Sequence, residues 1–265
     1  MTLVRYSARM GEYEITSPTN ERIKRLVRLR QRRYRDAEYV FVVEGPRLIE
    51  RAVGVGLEPI EVYGDGSVHL DLPGMVMVEP SVLDKASYRQ SSEGLIAVFP
   101  QYVPTLADIT LSDPALVVVT EGLEKPGNLG AMMRTTSAAG ADALITVDTG
   151  TDIFNPNVVR SSTGALFTLP VVPADLDSLR IWLEDNSMRL IATAPGAELS
   201  IWECDLTAPC ALMVGAEDSG LSESALASAD TVVAIPMRST HVDSLNASVS
   251  LAIIAYEALR QRQRS

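Results

Sequence analysis

Hydrophobic and polar positions along the chain follow two patterns, one typical of strands and one typical of helices. Short runs of β-branched and aromatic residues recur, and segments with helical spacing separate them. The predicted strands are 39–45, 59–65, 75–79, 94–99, 115–122, 143–148, 189–194, 210–217 and 231–237. In the second half, helices are predicted over 128–140, 157–167, 175–187, a short segment from Ser222, and 244–264.

This alternation predicts an α/β fold. Continuous apolar strands followed by helices are typical of a parallel sheet that is covered on both faces. Residues 100–114 contain three prolines among turn-forming residues and are the best linker candidate. We therefore predict a smaller N-terminal α/β domain over 1–104, a linker to about 114, and a second domain over 115–265.

Composition narrows the class of protein. The chain has 265 residues, of which 46% are hydrophobic and 22% charged, as expected of a globular protein. No segment has the length and apolarity of a signal peptide or a membrane span, so we expect no membrane partner. Cys204 and Cys210 are too few for a disulfide framework and, with His69 and His241, do not form a zinc site. We expect a cytoplasmic protein without a metal.

Charge is distributed unevenly. The net charge is -11, which by itself argues against a nucleic-acid partner, but residues 1–35 hold ten of the 23 basic residues. Residues 17–35 have helical spacing, and Asn20 can cap the start of the helix. The arginines on its polar face are candidates for phosphate contacts, although a simply solvated helix is the alternative. They are Arg22, Arg25, Arg28, Arg32, Arg33 and Arg35.

Polar residues gather after three predicted strands of the second half, at the sheet edge where ligands bind in parallel α/β folds. The first segment, 120–135, contains Asn128 and Arg134, and Arg134 is the single charged residue of 126–141. The second, 214–222, has Glu217 between two glycines, and the third, 234–262, contains Ser244 and Asn246. Helix capping by Asn128, Ser222 or Ser244 is the plainer alternative in each segment.

Together the three segments resemble, in order and spacing, the motifs of the SpoU (TrmH-like) RNA ribose methyltransferases of the SPOUT superfamily. The first motif resembles PGNLGAMMRT, the second VGAEDSGLS, and the third IPM followed by SLNAS and YEALRQR. Residues 17–64 also resemble the substrate-binding domain that precedes the catalytic domain in this family. The resemblance therefore covers nearly the whole chain.

The resemblance implies a fold and an activity. It implies a catalytic domain with a deep trefoil knot, which is rare among folds and is not predictable from composition. It further implies a homodimer with S-adenosylmethionine as cofactor. The implied reaction is methylation of a ribose 2′-hydroxyl in RNA, with ribosomal RNA favoured. Two alternatives stay open: a transfer RNA substrate, and an inactive RNA-binding or ribosome assembly factor that keeps the fold.

The resemblance also assigns roles to residues. Arg134 would activate the ribose hydroxyl, with a nearby phosphate as proton acceptor, or stabilise the developing alkoxide. Asn128 would orient Arg134 or a phosphate, Glu217 would pair with neighbouring donors, and Ser244 and Asn246 would fix the third loop. The implied cofactor-binding residues are Thr193, Ala194, Gly215, Glu217, Ile235, Met237, Ser244 and Leu245.

The third segment departs from the family pattern in three ways. Ser239 stands where the family usually has glycine, Ala247 replaces a usual valine, and the distance from Ile235 to Leu245 is one residue longer. His241 lies in this longer loop, and we expect it to be exposed. The altered loop is the observation behind the inactive-factor alternative.

Overall fold

The computed structural model describes residues 13–68, 70–89, 91–148, 150–238 and 244–263. The chain folds into two compact units. One unit combines the chain up to Tyr102 with Phe154–Phe167, and the other combines Val103–Ile153 with the chain from Thr168 onward. Phe154–Phe167 lies within the range that the sequence assigned to the second domain, yet it packs with the first unit.

The first unit is built on a mixed sheet. Its strands are β1 (Val40–Glu44), β2 (Glu61–Gly64), β3 (Val76–Met77) and β4 (Leu95–Pro100). Their order is β1-β4-β2-β3, with β4 antiparallel to β1 and to β2 and with β2 parallel to β3. Its helices are α1 (Glu21–Arg28), α2 (Arg32–Glu38), α3 (Pro46–Gly54), α4 (Pro80–Ala86) and α6 (Pro156–Ser161).

The arginine-rich segment forms two helices, so the prediction of one helix over 17–35 is wrong. The cap by Asn20 is confirmed, because its side chain accepts a hydrogen bond from the backbone of Arg22 at 2.9 Å. The break after α1 buries Leu29 completely and directs the Arg30 guanidinium to the carbonyls of Lys85 and Ser87. The burial of Leu29 and the hydrogen bonds of Arg30 together stabilise the fold more than one uninterrupted helix would.

All four phenylalanines of the chain belong to the first unit, and three of them surround the ring of the fourth, Phe41. The centroid of Phe41 lies 5.7 Å from that of Phe99, 5.0 Å from Phe154 and 6.3 Å from Phe167. Aromatic pairs at these separations contribute beyond their buried area. The segment 154–167 therefore supplies part of the core of the first unit.

The second unit is built on a parallel sheet, which confirms the predicted fold class. The strand order is β7-β6-β5-β10-β8-β11-β9, and every neighbouring pair is parallel. The strands are β5 (Leu116–Glu121), β6 (Ala143–Val147), β7 (Val171–Ala174), β8 (Arg189–Thr193), β9 (Leu199–Ser200), β10 (Cys210–Val214) and β11 (Thr231–Ala234). The helices are α5 (Pro126–Ala138), α7 (Leu176–Asp185), α8 (Glu223–Ser228) and α9 (Ala247–Arg262). Across the described ranges no helix combines the length and apolarity that crossing a membrane requires.

Arg262, in the last turn of α9, binds the amino-terminal edge of this sheet. Its guanidinium donates to the carbonyls of Pro114 at 2.7 Å, and of Ala115, Leu206 and Ala208 at 2.9 Å or closer. A basic residue in the last turn of a helix is favoured by the helix dipole alone, but Arg262 does more than this. The four carbonyl contacts make it a link between three chain segments.

Replacing Arg262 by methionine is expected to lower the free energy of unfolding by about 3 kcal/mol, because several carbonyls lose their charged donor. Denaturation in urea, followed by circular dichroism, measures the change. Arg180→Met is the matched control, since in the described part of the chain Arg180 pairs with two carboxylates at 3.2 and 3.3 Å, and such partly exposed ion pairs are worth under ~1 kcal/mol. Equal destabilisation by the two substitutions would contradict the assignment.

Candidate functional site

A cavity of about 320 Å³ lies at the carboxyl ends of β8, β10 and β11, where neighbouring parallel strands leave room for a ligand. Residues of four chain segments line it: 193–195, 214–220, 235–237 and 244–250. All eight residues that the sequence proposed for the cofactor border this one cavity. They are Thr193, Ala194, Gly215, Glu217, Ile235, Met237, Ser244 and Leu245.

The loop after β10 explains the spacing of the two glycines. Ala216 and Gly220 exchange backbone hydrogen bonds of 3.2 and 3.0 Å, which closes the loop on itself. Gly220 adopts a φ of 69°, a conformation that glycine reaches without strain. A Cβ on Gly215 would overlap the carbonyl of Gly220 and the amide nitrogen of Leu221. Position 215 therefore accepts only glycine in this loop conformation.

Glu217 projects from this loop, and its contacts connect the second motif with residues of the first and third segments. It forms an ion pair with Lys125 and accepts a hydrogen bond from the side-chain amide of Asn246. The same amide lies 3.3 Å from Oδ1 of Asn128. The hydrogen bond from Lys125 lowers the pKa of Glu217, and the carboxylate in turn raises the pKa of Lys125. The cluster therefore holds a carboxylate and an ammonium that are both charged at neutral pH.

Two of the plain capping alternatives are wrong. Lys125 is the N-cap of α5 and Pro126 its first residue, so Asn128 lies inside the first turn and does not cap the helix. Asn246 caps α9 by accepting from the backbones of Ser248 and Val249, so Ser244 does not cap it. The oxygen of Asn246 thus caps the helix while its nitrogen faces Glu217 and Asn128.

A second cavity, of about 180 Å³, adjoins the first. Ala216, Glu217, Asp218 and Ser219 border both, so the loop after β10 forms the wall between them. The second cavity is also lined by residues around the start of α5, among them Lys125 and Asn128. A carboxylate in the shared wall can therefore contact groups held on both sides.

Two residues of this region were missed by the sequence analysis. Lys125, which pairs with Glu217, was not among the candidate site residues. Glu121 is the buried last residue of β5, and its carboxylate accepts from the backbone and the hydroxyl of Ser222, both at 2.7 Å. Ser222 does cap α8, as one alternative held. An acidic residue inside the apolar run VVVTE was the available signal for Glu121.

Arg134 is exposed on α5 and borders neither cavity. Six residues of helix separate it from Asn128, which corresponds to about 9 Å along the axis and about 120° of rotation. Its guanidinium makes no hydrogen bond or ion pair within the described part of the chain. One copy of the chain therefore does not bring Arg134 together with Glu217 and Asn246.

The six arginines proposed for RNA fall into three groups in the first unit: four are exposed, one is half-buried in ion pairs and one is buried. Arg22, Arg28, Arg32 and Arg33 are exposed. Arg25 forms ion pairs with Glu38 and Glu61. Arg35 is a correction: it is 1% exposed and donates to the carbonyl of Leu29 at 2.6 Å, so it lies in the core and not on the surface. Its aliphatic stem permits this burial once the backbone supplies an acceptor.

The altered third loop is described only in part. Ser239 and His241 lie outside the described residues, whereas Ala247 is buried at the start of α9 and lines the larger cavity. Within the described ranges, no group of three or more His, Cys, Asp or Glu side chains is arranged to hold a metal ion.

Two family matches divide the chain. The SpoU rRNA Methylase family matches residues 115–256, and the MRM3-like substrate binding domain matches residues 20–97. The first match includes the strands, loops and helices that form both cavities. The second match includes most of the first unit.

Individual relatives agree with these matches. The 23S rRNA (uridine(2479)-2′-O)-methyltransferase of Streptomyces viridochromogenes is 30% identical over 250 residues, which are 88% of this chain and 86% of that protein. A solved RNA 2′-O ribose methyltransferase is 42% identical with a TM-score of 0.83, covering 94% of this chain and 99% of that chain. The SpoU methyltransferase AviRb from Streptomyces viridochromogenes, in complex with the cofactor AdoMet, has a TM-score of 0.85 at 29% identity, covering 92% and 98%.

Proposed function

Because the chain belongs to the SpoU rRNA methylase family, we propose that its two cavities and Arg134 carry out S-adenosylmethionine-dependent methylation of a ribose 2′-hydroxyl in ribosomal RNA. Membership in this family makes the chain an RNA 2′-O-methyltransferase that uses S-adenosylmethionine. The observation that carries the proposal is the convergence of all eight proposed cofactor residues on one cavity.

The larger cavity fits this cofactor in size and in chemistry. Its volume of about 320 Å³ is within the range of small-molecule sites, and Ile235, Leu245 and Val214 provide apolar walls for a planar base. Thr193, Ser244 and the backbone of the loop after β10 provide polar groups for a ribose and an amino acid moiety. When bound, S-adenosylmethionine supplies a methyl group on a sulfonium, which is a good leaving group.

The protein then has two tasks at the ribose. It positions the 2′-hydroxyl for attack, and it stabilises the negative charge that develops on the oxygen as the proton leaves. A guanidinium stays protonated at neutral pH, so Arg134 stabilises the negative charge that develops on the oxygen and does not itself remove the proton. The proton passes to a nearby phosphate oxygen of the RNA. Asn128 orients the nucleotide, and Asn246 and Glu217 hold Asn128 in place.

We propose that the site is completed in a homodimer. Arg134 is exposed and distant from the Glu217 cluster within one copy, so a second copy must bring it to the cavities. Exposed apolar residues on α9 support an interface in this unit, since Val249 and Tyr256 are seven residues apart and therefore share one face of the helix. The trefoil knot remains a proposal that rests on family resemblance, together with the meeting of three loops at one cavity.

The first unit is proposed to bind the RNA through its exposed arginines. Arg22, Arg28, Arg32 and Arg33 can contact phosphates, so binding is expected to weaken steeply with salt. We also propose that the reaction takes place in the cytoplasm. Cys204 and Cys210 support this location, because both are buried and free, as is usual in a reducing compartment.

The direct test is transfer of labelled methyl from S-adenosylmethionine to total RNA, followed by mapping of 2′-O-methyl positions in ribosomal RNA with and without the protein. A new 2′-O-methyl group at a defined rRNA position supports the proposal. Labelling of transfer RNA alone would identify transfer RNA as the substrate in place of ribosomal RNA. Binding of the cofactor without any methyl transfer would identify an inactive factor.

Glu217 gives the site a defined pH dependence. Its pKa is below the ordinary value of 4.5, so its contribution to cofactor affinity is present above that pH and is lost as the pH falls through the lowered value. Glu217→Gln removes the ion pair with Lys125 and is expected to weaken cofactor binding about 10-fold at neutral pH. Calorimetric titration at a series of pH values measures both effects. A wild-type affinity that already falls between about pH 7 and 5 would contradict the assignment.

A further inference from the structure

One end of the sheet in the first unit exposes three large apolar side chains. Since β4 is antiparallel to both of its neighbours, its carboxyl end meets the starts of β1 and β2. Tyr39, Tyr102 and Ile60 lie there and are 75%, 70% and 55% exposed. Backbone hydrogen bonds join the segments, from Gln101 to the carbonyl of Tyr39 at 2.7 Å and from Ile60 to that of Val98 at 2.8 Å.

Tyr39 lies at a backbone position where tyrosine is unfavourable for the stability of the fold. It ends α2 in the left-handed conformation, with a φ of 52°. Glycine or asparagine is favoured at such a helix end, and a bulky side chain there is strained. The exposed ring gains no compensating burial. A ligand that contacts the ring would account for both costs.

The charges around this end of the sheet are those that attract a polyanion. Arg22, Arg25 and Arg28 are spaced three residues apart along one side of α1. Arg25 pairs with Glu38 at the end of α2 and with Glu61 at the start of β2, so its single charge offsets half of the charge of these two acids. Arg22 and Arg28 are exposed and make no ion pair in the described part of the chain. They lie one turn to either side of Arg25 on α1 and add positive charge to the side of the helix that Arg25 links to Glu38 and Glu61.

We propose that Tyr39, with Tyr102 beside it, stacks on unpaired nucleobases of the RNA while Arg22 and Arg28 contact the adjoining phosphates. Aromatic rings recognise single-stranded RNA because the face of each unstacked base is accessible, whereas a duplex hides it. This inference rests on the proposed function and adds to it a preference for single-stranded over paired RNA around the target.

The test is the affinity of the full chain for a single-stranded oligouridine of roughly ten nucleotides, compared with the same strand paired to oligoadenosine. Fluorescence anisotropy of the labelled oligouridine gives the dissociation constant. Tyr39→Asn is expected to weaken single-strand binding about 10-fold and to leave or raise the melting temperature, because asparagine suits the left-handed conformation. Tyr39→Phe keeps the ring and is expected to bind within about twofold of wild type.

Ser187→Gly is the matched control, since Ser187 has a φ of 53° beyond the end of α7 in the second unit. It relieves the same backbone conformation and should leave RNA affinity unchanged. Unchanged binding by Tyr39→Asn, equal loss by Tyr39→Phe, or equal affinity for the duplex would overturn the inference. So would a change in oligomeric state on sedimentation, which would identify a contact between copies. Failure of the proposed function is separate, because wild type would then methylate no RNA.

Discussion

Arg134→Ala is expected to lower methyl transfer to ribosomal RNA by about 10²–10³-fold while leaving cofactor affinity within about twofold. The guanidinium is the cation proposed to stabilise charge on the ribose oxygen, and it borders neither cavity of its own copy. Single-turnover transfer from labelled S-adenosylmethionine and calorimetric binding of the cofactor measure the two effects separately. Arg134→Lys keeps the charge without the planar donors and is expected to recover only part of the rate.

The control for a general loss of charge on the second unit is Arg180→Met, which removes an arginine that pairs with Glu184 and Asp230 and belongs to none of the three motifs. Wild-type transfer by this variant and reduced transfer by Arg134→Ala together support the assignment. An Arg134→Ala protein that retains the full transfer rate would refute the role of this residue.

Gly215→Ala is expected to weaken cofactor binding by about 100-fold or more. The added methyl group would overlap backbone atoms of Gly220 and Leu221, which cannot move aside as a flexible side chain can. The loop that carries Glu217 must therefore open, and the cavity loses one wall. Calorimetric titration with S-adenosylmethionine gives the affinity, and circular dichroism reports whether the fold persists.

Gly150→Ala provides the comparison, because a Cβ at that position meets no atom within 4 Å. It should bind the cofactor as wild type does. Cofactor affinity within about threefold of wild type for Gly215→Ala would show that the loop adopts another conformation.

The two variants also test the dimer. Arg134→Ala keeps the cavity, and Gly215→Ala keeps the arginine, so a mixed dimer would contain one complete site if the arginine acts across the interface. Random mixing of the two inactive proteins is then expected to restore about a quarter of the wild-type sites. A mixture that stays inactive would favour a site formed within one copy.

The fold could be predicted where burial fixes the residue pattern. The continuous apolar runs of β5, β6 and β10 are fully buried, and the sequence identified them. It missed β7 and β9, which are short strands at the two edges of the sheet. Pro173 within β7 is tolerated at an edge, and a two-residue strand leaves no periodicity to detect. The strand order could not be predicted, because it depends on contacts between distant segments.

The candidate site was predictable where the spacing of residues along the chain resembles the family motifs, and less so where contacts join distant segments. The meeting of Lys125 with Glu217 joins residues 92 positions apart, and no local pattern indicates it. The burial of Arg35 was missed for a related reason, since an arginine is normally placed at the surface. The roles of Asn128, Arg134 and Asn246 stay predictions for the variants above to test.

The cluster of four phenylalanines has a consequence for biosynthesis. Phe41 and Phe99 leave the ribosome before Phe154 and Phe167 have been made, and Val103–Ile153 must be translated in between. Domains generally fold as units during synthesis, starting from the N-terminal one. Here the first unit lacks part of its aromatic core until the first strands of the parallel sheet of the second unit have emerged. A nascent chain therefore cannot complete its first unit well before synthesis of the second unit has begun.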